Sequence, residues 1–193
     1  MSSPLGFGER EGVLQLLRDH LAQELDAHER SMAEEILRFV EREPRCAERS
    51  TVEGHLTGSA WIVDPTGRLT LLTHHRKLNK WLQLGGHADG DLDLLAVAVK
   101  EAQEESGLTR LRVLSPRLFD VDRHWIPPRK QEPGHWHYDL RFLLAADAQE
   151  AVVLTDESHE LAWIEISRMA EYNPEESMMR MARKTLVRAP GDR

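Results

Sequence analysis

The sequence has a single cysteine, Cys46, in 193 residues. No disulfide can close within the chain and no cysteine-based zinc site can form, so a reducing, cytoplasmic compartment is the expectation. Apolar runs long enough to cross a bilayer are absent. Residues 1–12 have neither the basic start nor the apolar stretch of a secretory signal, and no membrane partner is expected. An excess of cations is missing too: the formal charge is -8, whereas a nucleic-acid polymer calls for a basic face. That excludes general polymer binding but leaves small phosphorylated substrates open, since a few local Lys and Arg residues and a metal ion suffice to hold them. Repeats and low-complexity tracts are also absent. What is there is 40% hydrophobic and 30% charged, enough for one compact globular domain with some additional elements.

From Glu9 to Glu43 the chain reads as helical. Leu14, Leu17, Leu21 and Leu25 recur at three- and four-residue spacing, and Met32, Ile36, Phe39 and Val40 continue the stripe. The pattern predicts two helices with a break between Leu25 and Ser31, ended by Pro44. From His55 to Asp64 the texture becomes strand-like. Pro65-Thr66-Gly67 supplies a turn, and Leu69, Leu71 and Leu72 begin a partner strand that leads into the basic segment His74 to Lys80. Gln83 to Asp91, with Gly85, Gly86 and Gly90, reads as a loop before a helix that runs to Ser106. Arg110 to Asp122 reads as one strand with its exit, Trp125 to Gly134 as a loop, and Tyr138 to Ala146 and Leu161 to Ile166 as further strands. Pro174 to Val187 reads as a closing helix with Met178, Met181, Ala182 and Leu186 as its apolar stripe. These elements predict an α/β (α+β) fold, with residues 1–50 as a helical N-terminal extension and residues 51–190 as one mixed domain.

The most informative segment runs from Gly85 to Leu108. Leu95, Ala98, Val99 and Ala102 make a core-facing stripe, Asp91 or Asp93 suits the helix start, and Gly107 suits its end. Glu101, Glu104 and Glu105 crowd one face near the helix C-terminus, where like charges repel and negative charge is disfavoured. A bound divalent cation removes that penalty, and hard carboxylate oxygens suit magnesium, with manganese as a substitute. With Gly86 at its head and Glu101, Glu104, Glu105, Gly107 and Leu108 in its second half, the segment resembles the Nudix box. The resemblance covers roughly Thr57 to Val187. Two positions depart from the pattern: Leu92 stands where the family has its first glutamate, and Lys100 where it has arginine. Pairing of Lys100 with Asp91 or Asp93 is the expected compensation.

The resemblance implies a mixed β-sheet sandwiched between helices and a magnesium-dependent hydrolase that cleaves a phosphoanhydride bond. The expected substrate is a nucleoside diphosphate linked to another group, or a similar small diphosphate. It implies Glu104 and Glu105 as principal metal ligands, Glu101 as a further ligand or the base that activates water, and the Gly86 carbonyl in the coordination. Family members often use an acidic residue before the last strand, which points to Glu157, with Glu160 second. Arg76, Lys77, Lys80, Arg123, Arg129 and Lys130 border the expected site as candidate phosphate contacts, and Trp81, Trp125 and Tyr138 are candidates to stack on a base.

Eight of the ten histidines lie from His55 onward. His124, His135 or His137, and His159 form a candidate second, transition-metal site, with His135 and His137 on one face of an extended segment. Three other readings compete: a binding or sensing module of the same fold with weak or no catalysis, an isomerase of the same fold, and an interaction role for the N-terminal helices, which could support a homodimer. The isomerase needs a catalytic cysteine, and Cys46 lies before the domain.

Overall fold

The computed structural model of the chain describes residues 9–128, 133–156 and 158–187. Two helices come first, α1 (Arg10–Leu21) and α2 (Ala27–Arg42). The break falls at residues 22–26, slightly ahead of the expected place, because Asp26 caps α2 by accepting a hydrogen bond from the Glu29 backbone N–H at 2.8 Å. Pro44 follows two residues after α2 ends.

Among the described residues eight strands form one sheet: β1 (Gly54–Val63), β2 (Leu69–His75), β3 (Lys80–Leu82), β4 (Leu84–His87), β5 (Arg112–Val113), β6 (Asp120–Ile126), β7 (His135–Ala145) and β8 (Ser158–Glu165). β1 and β7 run parallel from Gly54 opposite Trp136 to Val63 opposite Ala145. All other pairings are antiparallel. Three expectations are corrected here. The Gly-Gly segment is a strand, β4, hydrogen-bonded to β1, and the segment from Arg110 to Asp122 holds two strand pieces rather than one. The last strand starts at Ser158, three residues earlier than its apolar run, because its first part pairs with the polar end of β2.

The remaining helices are α3 (Leu94–Ser106), α4 (Met169–Tyr172) and α5 (Glu176–Val187). Side chains alternate across the sheet, so each face has its own core. Leu56, Ala60 and Ile62 of β1 join Tyr138, Leu140 and Phe142 of β7 against α1, α2 and α3. Trp61, Val63 and Leu143 face the other way and pack beneath Met178, Met181 and Ala182 of α5. Gly58 lets α3 approach, since a Cβ there would stand 2.7 Å from the Leu94 carbonyl oxygen. The buried face of α3 is Leu94, Val97, Ala98 and Ala102, with Leu95 and Val99 only half-buried. The helix is thus rotated from the expected stripe, which turns Glu101 inward.

On α5, Leu186 is exposed rather than buried, and Arg180 and Thr185 take the inner face. Arg180 is there because it donates two hydrogen bonds of 2.8 Å to the buried Asp120 carboxylate, and Lys184 adds another at 3.0 Å. Thr185 accepts from the Trp61 indole N–H at 2.9 Å. The N-terminal helices share this structure: Lys184 also reaches Glu29, which meets His20 at 2.9 Å between α1 and α2. Helices α1 and α2 therefore pack into the same core as the sheet. Among the described residues no helix is long and apolar enough to cross a membrane.

Candidate active site

The odd-numbered residues of β1 and β7 that lie beyond the α5 core form the floor of a cleft of about 560 Å³. They are polar and densely bonded. Asp139 accepts from Thr57 (2.8 Å), Ser59 (2.7 Å), Arg141 Nε (2.7 Å) and Gln83 (3.2 Å). Arg141 also donates to Asp120 at 3.2 Å and to Asp122 at 3.3 Å. Burial opposes ionisation of Asp122, but the Arg141 charge and the hydrogen bond with His124 outweigh it and hold the carboxyl far below the usual carboxylate range. The floor is therefore a fixed array of paired charges.

One wall is β4 with α3. Asp93 caps α3 by accepting from the Ala96 N–H, and Gly107 ends it in the left-handed region at φ 72°. This geometry brings Glu101 and Glu105 to the cleft beside Gly85 and Gly86. The Gly85 N–H donates to Glu105 at 3.1 Å. At Gly86 a Cβ would overlap the Glu101 carboxylate, so only glycine leaves that carboxylate its place. Two carboxylates beside a bare backbone strand are a hard-oxygen donor set, which fits magnesium or manganese.

Glu104 points to solvent one turn along and does not line the cleft. Lys100 holds it at 3.4 Å and Glu101 at 3.2 Å. The hydrogen bond to Glu101, with the charges of Glu101 and Glu104, raises the Lys100 pKa. Lys100 thus pairs with the box glutamates rather than with Asp91 or Asp93, because both aspartates are engaged at the helix start.

The candidate substrate contacts separate. Lys80 lines the cleft and pairs with Glu175. Lys77 lines it as well, and its ammonium has no carboxylate partner among the described residues. Trp125 stands at the mouth, 49% exposed. Arg76 turns to β8 and donates to the Ser158 carbonyl at 3.2 Å. Arg123 and Tyr138 are register partners on the opposite face of the sheet and do not reach the cleft. Arg123 pairs with Glu35 and lies over the Trp136 ring, while Tyr138 stacks on Phe39 and donates to Glu53. Their position in the alternation, one residue away from His124 and His137, decides this. Trp81 packs between His74 and Tyr172. Glu157, Arg129 and Lys130 lie outside the described residues, and Glu160 is exposed on β8.

At the end of the floor nearest β4, His55, His87, His124, His135 and His137 come together, while His159 stands apart against His74. Burial and the surrounding imidazoles push the pKa of His55 down to about 4. The same causes lower His137 further. His55, Asp122, Asp139 and Arg141 were not singled out from sequence. The signal was there: His135, His137, Asp139 and Arg141 are polar at every second position of an otherwise apolar strand. Cys46 is fully buried away from the cleft, and burial pushes its thiol pKa up, so it offers no nucleophile for the isomerase reading.

The family model for the NUDIX domain matches residues 55–185. The chain belongs to the Nudix family. Its fold agrees with solved Nudix structures at low identity. A C. elegans Ap4A hydrolase binary complex aligns with a TM-score of 0.55 and 18% identity over 68% of this chain and 95% of that one. A NUDIX-family hydrolase from Clostridium perfringens aligns with a TM-score of 0.51 and 23% identity over 69% and 97% of the two chains. The E. coli dihydroneopterin triphosphate pyrophosphohydrolase aligns at 0.54 and 14% identity, over 69% and 96%. No curated protein sequence matches the chain. Helices α1 and α2 precede the part of the chain that matches this Nudix model.

Proposed function

We propose that this Nudix protein is a divalent-metal-dependent hydrolase of a phosphoanhydride bond, acting on a nucleoside diphosphate linked to another group or a similar small diphosphate. One observation carries the reading: the Glu101 and Glu105 carboxylates stand beside the Gly85-Gly86 backbone on the wall of a cleft that also holds Lys77, Lys80 and an exposed Trp125. Glu101 and Glu105 would hold the cation, with Glu104 joining once it turns from Lys100. When bound, such an ion neutralises diphosphate oxygens and lowers the pKa of a bound water. Lys77 and Lys80 supply positive charge to the outer phosphate, and Trp125 offers a ring face to a base. Asp122, held ionised by Arg141, is a poor proton acceptor but a good hydrogen-bond acceptor for a water.

The deciding experiment is release of phosphate or mononucleotide from a panel of nucleoside triphosphates and diphosphate-linked compounds. It is run with magnesium, with manganese and with chelator, beside Glu105→Gln. Metal-dependent release that Glu105→Gln abolishes supports the proposal; equal release from Glu105→Gln refutes the assignment. A second reading, a binding or sensing module, draws on Lys100, whose own ammonium bridges Glu101 and Glu104. It predicts metal-dependent binding of a diphosphate compound with no product formed.

A further inference from the structure

The sheet register assembles imidazoles from four strands on one face. His55 of β1 is opposite His137 of β7, His124 of β6 is opposite His137 on its other side, and His87 of β4 is opposite Thr57, the next residue on the His55 face. His135 lies two residues before His137 and so shares its face. Ring centroids stand 4.9 Å apart for His55 with His135, for His55 with His137, and for His87 with His137. His55 is only 3% exposed, yet neither of its ring nitrogens has a hydrogen-bond partner among the described residues. A buried imidazole normally satisfies at least one nitrogen. His135, by contrast, has partners at both ring nitrogens. Its Nδ1 lies 2.9 Å from the Pro133 carbonyl oxygen, which accepts the ring proton there and leaves the Nε2 lone pair directed at His137 Nε2, 3.2 Å away.

We propose that His55, His135 and His137 form a transition-metal site for Zn²⁺, distinct from the carboxylate site on α3. One nitrogen from each of the three rings lies within 4.8 Å of the others. Tetrahedral zinc with bonds of about 2.0–2.1 Å needs its nitrogens about 3.3 Å apart. The His135–His137 pair already has that spacing, and side-chain rotation brings the His55 nitrogen in. Neutral imidazole nitrogens select zinc and its late first-row neighbours over magnesium, which takes hard oxygen. The bond from His135 Nδ1 to a backbone carbonyl is the kind of outer contact that fixes a metal-binding tautomer. His87 and His137 line the cleft, so the fourth position faces it, open to water or to an oxygen of a phosphorylated ligand.

The test uses Zn²⁺ itself and the full chain carrying Glu101→Gln and Glu105→Gln, which removes both carboxylates of the α3 site. It therefore reads the histidines whether or not the hydrolase reading holds. The expected result is one equivalent of Zn²⁺ retained through dialysis. The affinity should fall by at least about 100-fold in His135→Ala, since loss of a ligand exceeds the 10–100-fold effect of losing an outer-shell contact. Thermal melts check that the variant is folded. With the histidines unaltered, Co²⁺ should give the intense visible absorption of a tetrahedral nitrogen site, and excess Mg²⁺ should leave it in place. Zn²⁺ affinity unchanged in folded His135→Ala overturns the proposal. So does Co²⁺ that shows only the weak spectrum of an oxygen-ligated ion, which decides the matter even if the variant does not fold.

Discussion

Replacing Gly86 by alanine puts a methyl group where the Glu101 carboxylate lies. The new Cβ would overlap that carboxylate and stand 2.9 Å from the Glu101 Cγ. Gly86 is not among the residues with positive φ, so alanine meets no backbone strain there. The atoms that must yield are the far end of a flexible side chain on α3. Overpacking of about 1–3 kcal/mol is partly offset by about 0.4–1 kcal/mol from the stiffer unfolded chain. For a protein of this size the melting temperature should move by no more than about 10 °C. Activity should suffer far more, because Glu101 can no longer stand beside the strand. Losing one preorganised charged group of this kind costs about 10²–10³ in turnover, or roughly 2.7–4 kcal/mol. Gly85→Ala is the contrast: its Cβ would stand 2.7 Å from Ser59 Cα and 2.8 Å from the Gly58 carbonyl oxygen. Those are backbone atoms of β1 that cannot yield without breaking the β1–β4 pairing. The assay is kcat with magnesium on the substrate found in the panel, beside a thermal melt of both variants. Turnover of Gly86→Ala close to that of the unsubstituted protein would refute the placement of Glu101. A melt of Gly86→Ala as low as that of Gly85→Ala would show that the side chain is not free to yield.

Other outcomes follow from the same contacts. Asp120→Asn removes the carboxylate that accepts from Arg141 and Arg180 and faces Lys184. Leaving those cations uncompensated in the interior should cost about 3–5 kcal/mol, read as a lower urea midpoint with unchanged slope; Glu171→Gln at an exposed pair should change little. Burial opposes the ionisation of Asp120 and Asp122, yet the neighbouring cations depress both carboxyls in the folded state. Their contribution is thus fully present above the unfolded value of about 3.9 and is lost as pH falls below it toward the folded values. The urea midpoint should therefore drop below about pH 4, and less steeply in Asp120→Asn; a midpoint flat with pH contradicts the network. Trp125→Ala should raise KM by about tenfold, the worth of one stacked base, with kcat nearly unchanged. A change in kcat alone would exclude a stacking role.

Helices α1, α2, α3 and α5 were legible because their cores announce themselves locally: the leucine spacing around Leu14 and Leu17, an aspartate, Asp91 or Asp93, at the start of α3 and the Gly107 stop each depend on residues within a turn or two. The Glu101 to Leu108 segment was legible for the same reason, since crowded carboxylates on one helix face need no knowledge of what the helix packs against. Strand β4 was not legible. Gly85 and Gly86 have the composition of a loop and become a strand only because β1 offers free hydrogen-bonding groups opposite them. Leu186 was misplaced inward because apolar spacing carries no information about a buried Arg180, whose partner Asp120 lies 60 residues away.

The sequence by itself determined the class of the fold and the carboxylate helix, both consequences of short-range pattern and side-chain chemistry, whereas the need for glycine beside Glu101 came from the packing of β4 on α3. Only the tertiary structure decided which charges share a cleft. Arg123 and Tyr138 went to one face and His124 and His137 to the other, because adjacent residues of a strand point in opposite directions and pairing register aligns them with partners far away in the chain. The same register drew His55 and His87 into the histidine cluster and left His159 outside it, which no spacing along the chain could have specified.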